Sequence, residues 1–347
     1  MKLLKRMLAL ALLLCLVLNT AFAATAKKTT SRYQEVADYI AALPEGAVAD
    51  VSSSGLSLEK MANLVSTRPD LIYTWDIKMG SGVVIKGDVS DLDLDSLTKK
   101  DYTYKELRLL LTCLTQLEHI TMFEQGLKVS QMEKLMAMFP EVTFEWTVRI
   151  GKYKIRTDAT AFSTLKGRQD PRYTTKDLDA LKYCTQLQAI DLGHNNVNDL
   201  SFLTQWPHLK VLIIVDSKKG IKDLSPLAEL KELEYVELFM QDITDLSALA
   251  DKPNLLDLNL CHNEVTDLSP LLGNTSLERL WISYNKQLSA EEITSFQEQM
   301  PGVLMETKEY QSTGAGWREH ERYFVVKEIF ETGVYRPFTD TAPTTDQ

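Results

Sequence analysis

The feature that most constrains this chain is the motif Asp-Leu-Ser-x-Leu, which occurs four times in its second half. The copies begin at Asp199, Asp223, Asp245 and Asp267, at steps of 24, 22 and 22 residues. Each copy follows a run of the form Leu-x-x-(Leu/Ile/Val)-x-(Leu/Ile). A period of this length is typical of a solenoid, whose stacked repeats bury one continuous core. The repeats therefore predict a function carried by an extended surface rather than by a pocket.

Each repeat is expected to contain one short strand. When a repeat is numbered from its first Leu, apolar residues recur at positions four and six, which face inward because strand side chains alternate between two faces. A polar residue at position nine can satisfy backbone groups where the chain turns, and serine and glutamine there are weaker versions of asparagine. The position-nine residues are Asn195, Ser217, Gln241, Asn263 and Asn285.

The Asp-Leu-Ser-Pro-Leu segment is predicted to turn into a short helix or 3₁₀ segment, with the aspartate as its cap and proline in the first turn. A calcium site is the alternative for these aspartates. Each of them lacks a second acid at ligand spacing, so capping is the better interpretation.

On these motifs, residues 187–288 resemble bacterial internalin-type leucine-rich repeats, whose hallmark is a 22-residue unit with the Asp-Leu-Ser-Pro-Leu tail. The resemblance covers about a third of the chain. It implies an exported protein of a Gram-positive-like bacterium that binds partners through a curved sheet. It implies no catalytic residue, because the family shares none.

Residues 1–23 have the pattern of a secretory signal peptide. Lys2, Lys5 and Arg6 precede an apolar run, and a small-x-small cleavage site ends at Ala23. No other stretch approaches the roughly 18 apolar residues of a membrane span. The mature chain is therefore expected to be secreted or associated with the cell surface, although the polar C-terminal end shows no visible anchor.

The charge balance argues against nucleic acid as a partner. The chain has 38 Lys and Arg against 48 Asp and Glu, a net charge of −10. Loss of the three basic residues of the leader makes the mature chain more acidic still. We find no concentrated basic patch that would overcome this repulsion.

A second, longer repeat precedes the solenoid. Residues in the stretch from Gly55 to Cys113 recur 71 positions later, from Gly126 to Cys184. Each copy is predicted to contain a helix (58–67 and 129–139), a strand (71–79 and 142–150), a returning strand after a Gly turn, and a second helix. These copies would be thicker, helix-bearing repeats that lead directly into the solenoid.

The predicted fold is α/β: a right-handed leucine-rich-repeat solenoid with a parallel concave sheet, helix-bearing repeats in its N-terminal half and capped ends. Strands are expected near 71–77, 117–122, 142–148, 187–192, 210–214, 234–238, 256–260 and 278–282, in one continuous sheet. The segment from Trp317 to Phe330 is interpreted as an end cap, with a docking helix as the alternative. The predicted divisions are 1–23 (leader), 24–54 (linker and cap helix), 55–186 (duplicated module), 187–306 (repeats) and 307–347 (C-terminal cap and polar tail).

The sequence offers no catalytic, cofactor or metal motif. After the leader is removed, Cys113, Cys184 and Cys261 remain, and an odd count argues against a disulfide framework. Cys261 is expected on the exposed side of its strand, while Cys113 and Cys184 occupy equivalent buried positions. No His or Cys pair has metal-ligand spacing, and nucleophile and phosphate-binding motifs are missing.

Binding is therefore expected on the concave face, at positions three, five and seven. Aromatic and apolar side chains beside acids are typical of a protein interface, although such residues also suit exposed strands. We call the following residues the predicted binding face: Val211, Ile213, Val215, Tyr235, Glu237, Phe239, Asp257 and Trp281.

The sequence thus favours a secreted, non-catalytic protein that binds a protein, or a glycan, through its concave sheet. A cell-surface scaffold module is the first alternative, and a cell-wall carbohydrate-processing enzyme is the second.

Overall fold

The computed structural model describes residues 31–80, 82–97, 102–165, 172–217, 220–308 and 311–339. The predicted signal peptide and the last residues of the predicted tail lie outside these ranges. The chain forms two compact units, 1–147 and 148–347, and the boundary between them falls within one strand of the predicted 55–186 module. The five predicted domain divisions remain predictions.

The first unit alternates short helices and short strands. Strands β1 and β2 pair in parallel, β3 and β4 form an antiparallel hairpin, and β5, β6 and β7 form a parallel sheet. The helices are α1 (Arg32–Ala41), α2 (Leu58–Val65), α3 (Tyr104–Cys113) and α4 (Val129–Met138). The strands are β1 (Val48–Asp50), β2 (Ile72–Thr74), β3 (Asp76–Lys78), β4 (Val84–Lys86), β5 (Asp91–Asp93), β6 (His119–Met122) and β7 (Thr143–Ile150), which continues into the second unit.

The 71-residue duplication appears as a repeated order of elements. Thr103 forms a capping box with Glu106 at the start of α3, and 71 residues later Thr174 forms one with Asp177. The element after Thr174 differs from expectation, because it is a 3₁₀ helix, Thr175–Tyr183, rather than an α-helix.

The second unit is built on a seven-stranded parallel sheet in the order β15-β14-β13-β12-β11-β10-β9. Its repeat strands pair in register, so that Val211 lies beside Tyr235 and Ile213 beside Glu237. The strands are β8 (Tyr153–Arg156), which precedes the sheet, and β9 (Ala161–Ser163), β10 (Ala189–Asp191), β11 (Val211–Ile213), β12 (Tyr235–Glu237), β13 (Asp257–Asn259), β14 (Arg279–Trp281) and β15 (Leu304–Glu306). The helices are α5 (Ala290–Gln299) and α6 (Glu321–Thr332).

The strand predictions are confirmed at every repeat, but the expected single sheet is not what forms. The strand at 72–74 pairs with β1, and the strand at 119–122 pairs with β5 and β7. The seven-stranded sheet instead begins at Ala161–Ser163, a strand that the repeat pattern did not predict. The leucine periodicity predicts where the strands lie but not which strands join the same sheet, because strand pairing depends on the segments between them.

The repeats are completed by 3₁₀ segments that follow the Asp-Leu-Ser motif, such as Ser225–Glu229 and Ser269–Gly273. Each motif aspartate accepts a hydrogen bond from the backbone N–H of the serine two residues later, at 2.8 Å in all four copies. The aspartates therefore satisfy a backbone N–H at the start of each 3₁₀ segment, as expected of a cap, but they do so through a turn one residue before the N-cap position, which is Leu200, Leu224, Leu246 and Leu268.

Positions four and six form the repeat core, as predicted. Leu212, Val236, Leu258 and Leu280 are all fully buried, and so are Leu192, Ile214, Leu238 and Leu260. These side chains lie on one face of the sheet, and the predicted binding face lies on the other.

The turn after each strand explains the position-nine amide. Position eight adopts a left-handed backbone at Met240 and Tyr284, with φ of 58° and 61°, which is unusual for large side chains. The next residue stabilises the turn: Asn263 accepts from the Ile243 N–H at 3.1 Å and donates to Leu238 O at 2.9 Å. The hydroxyl of Ser217, by contrast, is buried and has no hydrogen-bond partner among the described residues.

Candidate binding surface on the repeat sheet

The eight predicted site residues come together on one face of the second unit's sheet. Strands β11 to β14 carry six of them, and Val215 and Phe239 follow β11 and β12 by two residues. In-register pairing places Tyr235 beside Asp257 and Trp281 beside Asn259. The predicted footprint therefore exists as a continuous patch.

The patch is not open to solvent, which corrects the sequence-based expectation. Tyr235 and Asp257 are 0% exposed, and Trp281 is 1% exposed. Cys261, expected on the exposed side, is also fully buried. The same holds for the other members of the predicted binding face, which are all less than a tenth exposed: Val211, Ile213, Val215, Glu237 and Phe239.

The cover is the chain's own C-terminal segment, residues 311–339, which we call the C-terminal segment. Its apolar side chains share one buried cluster with the predicted binding face, and they are Trp317, Val325, Val326, Ile329 and Phe338. Helix α6 packs against β9 and β10. The expected end cap thus lies across the sheet, because the face it covers is itself apolar.

Trp317 is the central contact of the C-terminal segment. Its ring centroid lies 5.5 Å from that of Tyr235 and 5.2 Å from that of Trp281. Its indole Nε1 donates to Glu237 Oε1 at 2.9 Å, and the Trp281 indole donates to Gly314 O at 3.1 Å. Buried indole N–H groups need such partners, so these bonds fix the orientation of both rings.

Asp257 anchors the segment through charge. Arg279 donates to both of its carboxylate oxygens at 2.8 Å, and Arg322 of the segment does the same from the other side. Burial alone would raise the pKa of Asp257, but hydrogen bonds from these two guanidiniums outweigh it and hold that pKa below its usual value. Arg322 also reaches Glu278 at 2.7 Å.

The end of the segment is held at the first strands of the sheet. Gly333 O accepts from the Ala161 N–H at 3.1 Å, and the Tyr335 N–H donates to Thr160 Oγ1 at 2.7 Å. The Tyr335 hydroxyl donates to Glu234 Oε2 at 2.8 Å. The segment therefore contacts the sheet from β9 to β14.

Asp191 is a site residue that the sequence reasoning passed over. Its carboxylate is fully buried and accepts hydrogen bonds from Ser163 Oγ at 2.8 Å and from the Gly193 N–H at 3.0 Å. Repulsion from the Glu237 carboxylate also raises its pKa. Burial, the largest cause, raises its pKa to about 7. An acid at position five of a strand gives no sequence signal of burial when the covering segment is distant in the chain.

We expect Asp191→Asn to flatten the pH dependence of stability. Because the folded pKa is raised above the ordinary aspartate value of 3.8, the native state holds an extra proton between about pH 4 and pH 7, and the free energy of unfolding falls as pH rises through that window. Asparagine does not titrate. The difference in free energy of unfolding, variant minus wild type, should therefore be larger at pH 8 than at pH 4, by an amount on the order of 2 to 4 kcal/mol. Melting temperatures at the two pH values measure this, and an equal change in both proteins would contradict it.

Four described side chains with nucleophilic or basic groups are buried. The three cysteines of the described chain are free and buried, and burial raises each thiol pKa to about 12. Burial likewise lowers the pKa of Lys252 to about 8, but its ammonium is fully buried and donates to Leu227 O and Ala228 O at 2.6 and 2.9 Å. Lys252 thus holds the end of a 3₁₀ segment.

Two further features bear on ligands. An open pocket of about 230 Å³ is lined in part by His208 and Glu232, whose Nδ1 and Oε1 atoms are 2.6 Å apart. The His208 side chain is 74% exposed there, so the pair lacks the water-excluded setting of an active site. Within the described ranges, no group of three or more His, Cys, Asp or Glu side chains could hold a metal ion. The helices of those ranges include none long and apolar enough to cross a membrane.

Comparison with known proteins identifies part of the repeat region. Residues 253–297 match the family model described as Leucine Rich repeats (2 copies). No curated protein matches the chain. Three solved structures are similar. Internalin C2 of Listeria monocytogenes is 15% identical, covering 72% of this chain and 92% of its own, with a TM-score of 0.35. An internalin (inlF) of the same organism is 16% identical, covering 89% and 92%, with a TM-score of 0.33. A leucine-rich-repeat protein of Leptospira interrogans is 16% identical, covering 71% and 62%, with a TM-score of 0.38.

Proposed function

We propose that this chain is a secreted, non-catalytic protein that binds a protein partner through the predicted binding face. The proposal starts from its leucine-rich repeats, which are seen in the 22-residue units and in the family match at residues 253–297. Leucine-rich repeats are protein-binding modules in general. The predicted internalin-type repeat is confirmed in the fold by its short strand, amide turn and capped 3₁₀ tail.

One observation carries the choice of surface. The predicted binding face already holds a polypeptide, since Trp317 and Arg322 of the C-terminal segment reach Glu237 and Asp257 through hydrogen bonds of 2.8 to 2.9 Å. Aromatic rings and paired charges at the centre of a patch are the anchors of tight protein interfaces. The chemistry of this face is therefore that of polypeptide recognition.

Secretion is supported by the leader pattern of residues 1–23, which predicts a mature chain beginning near Ala24. N-terminal sequencing of the protein recovered from the culture medium tests this. An intact leader on the recovered chain would count against it.

Binding is tested by capture and mapping with the intact mature chain. Proteins retained from cell-surface and medium extracts are identified, and the complex is compared with the free chain by hydrogen exchange. We expect exchange to change in strands β11 to β14 and in the C-terminal segment, because a partner on this face must meet both. The exposed variant Lys231→Ala should bind as wild type does.

Two outcomes would reject the proposal. If no protein is retained above the level of a heat-unfolded control, the result favours the alternative of a cell-surface scaffold module, because a scaffold that only spaces other components needs no such partner. If a partner changes exchange only outside β11 to β14 and the C-terminal segment, the site lies elsewhere. A panel of cell-wall glycans, tested for both binding and cleavage, separates the glycan partner and the carbohydrate-processing alternative from protein binding.

A further inference from the structure

We propose that the C-terminal segment is a built-in ligand of the predicted binding face, and that the partner is a helical polypeptide segment with a Trp and an Arg five residues apart, followed by an apolar stripe. This inference rests on the proposed function and names the kind of partner. It follows from what occupies the face in the structure.

The repeats do not need the segment to complete their own core. Leu212, Val236, Leu258 and Leu280 are fully buried on the opposite face of the sheet. The strands β9 to β15 form backbone hydrogen bonds with one another in a single ladder. The segment adds no strand and contacts the sheet mainly through side chains. It therefore has the geometry of a docked ligand rather than of a repeat.

The largely apolar face also carries carboxylates, and the segment supplies donors to them. Asp257, Glu237 and Glu234 receive hydrogen bonds from Arg322, the Trp317 indole and the Tyr335 hydroxyl respectively. Glu278 receives a second one from Arg322. A carboxylate that is taken out of water needs a donor or a cation, so any replacement for the segment must offer the same chemistry.

The spacing of the anchors defines the motif. Trp317 precedes α6, and Arg322 lies in its first turn. Val325, Val326 and Ile329 then follow on the buried side of the helix, at the three- and four-residue spacing of an amphipathic helix. A partner segment with a Trp just before such a helix would reproduce the contacts of Trp317, Arg322 and the apolar stripe, which is helix-in-groove recognition on a sheet face.

The covalent connection sets how strongly a partner must compete. A tethered ligand acts at an effective concentration in the millimolar range for a short linker. A free segment with the same contacts therefore binds the closed chain weakly, and any change that weakens the attached segment makes the face available.

The test uses a fluorescent synthetic peptide of residues 311–339 and the intact mature chain. Binding of the peptide is measured to wild type, to an Arg322→Ala chain and to a Lys231→Ala chain as control. We expect the Arg322→Ala chain to bind the peptide at least about tenfold more tightly than wild type, because the arginine of the peptide restores the pair with Asp257 that the variant lost. A peptide carrying the same Arg322→Ala change should not bind, and the control chain should behave as wild type.

Two results would overturn the inference: a folded Arg322→Ala chain that binds no more tightly than wild type, or equal binding of the peptide without its arginine. If Arg322→Ala does not fold, as judged by circular dichroism, Trp317→Phe takes its place, since it keeps an aromatic ring and removes only the indole donor to Glu237. The experiment needs no external partner. Peptide binding without any captured protein would reject the proposed function alone, and captured protein without peptide binding would reject this inference alone.

Discussion

Replacing Asp257 with alanine is expected to destabilise the second unit by at least about 3 to 5 kcal/mol, the usual cost of removing one partner from a buried ion pair. The carboxylate is fully buried between two guanidiniums whose side chains are 4% and 10% exposed. Its loss leaves the two buried guanidiniums of Arg279 and Arg322 without the carboxylate between them, and Arg322 keeps only its ion pair with the exposed Glu278. Urea unfolding followed by circular dichroism measures the change.

A matched control is Asp179→Ala, which removes an exposed ion pair. Asp179 and Lys182 are 69% and 43% exposed, and such surface pairs contribute about 0 to 1 kcal/mol. The pH dependence gives a second check on Asp257. Because the folded pKa of Asp257 is lowered, its contribution to stability is present above the ordinary aspartate value of 3.8 and is lost as pH falls through the folded value, so wild type and variant should converge in acid. Equal stability of Asp257→Ala and Asp179→Ala at neutral pH would contradict the buried network.

Replacing Trp281 with alanine is expected to destabilise the fold by about 3 to 5 kcal/mol, as is typical for truncation of a buried Trp. Its ring is 1% exposed, packs against Trp317 and donates to Gly314 O. This differs from the expectation from the sequence, which placed Phe239 and Trp281 on a face available to a partner. The combined Phe239→Ala and Trp281→Ala variant should be less stable still.

Thermal unfolding of Trp281→Ala beside Lys231→Ala tests this, because Lys231 is exposed and its truncation should change stability by less than about 0.5 kcal/mol. A Trp281→Ala protein that melts at the wild-type temperature would show that the C-terminal segment does not cover this face in solution.

The sequence predicts local features of this fold well, for identifiable reasons. The strand at each repeat, the amide turn at Asn263 and the cap at Asp267 each depend on residues within one or two repeats. Their periodicity is therefore visible without knowledge of the rest of the chain. The predicted binding face is also correct as a patch, because in-register pairing fixes lateral neighbours.

What covers that patch could not be predicted, because the covering contact joins distant residues. Trp317 and Glu237 are 80 positions apart in the sequence. Aromatic and acidic side chains on a strand face indicate recognition, and they do so equally for a separate partner and for a segment of the same chain. One signal was available: residues 211–215 are all apolar, a run typical of strands that are buried on both faces.

The contact between Tyr335 and Thr160 spans 175 positions and has a consequence for how the second unit unfolds and assembles. Linear repeat arrays are held by nearest neighbours, so they fray from their ends. Here the last described stretch of chain is fastened to the first strand of the sheet, which closes the array on itself. We expect the repeats of this unit to open together, in a single transition, and not one at a time. During synthesis the sheet remains uncovered until residues 311–339 have emerged, so we expect closure to follow formation of the sheet, because it must close a long loop.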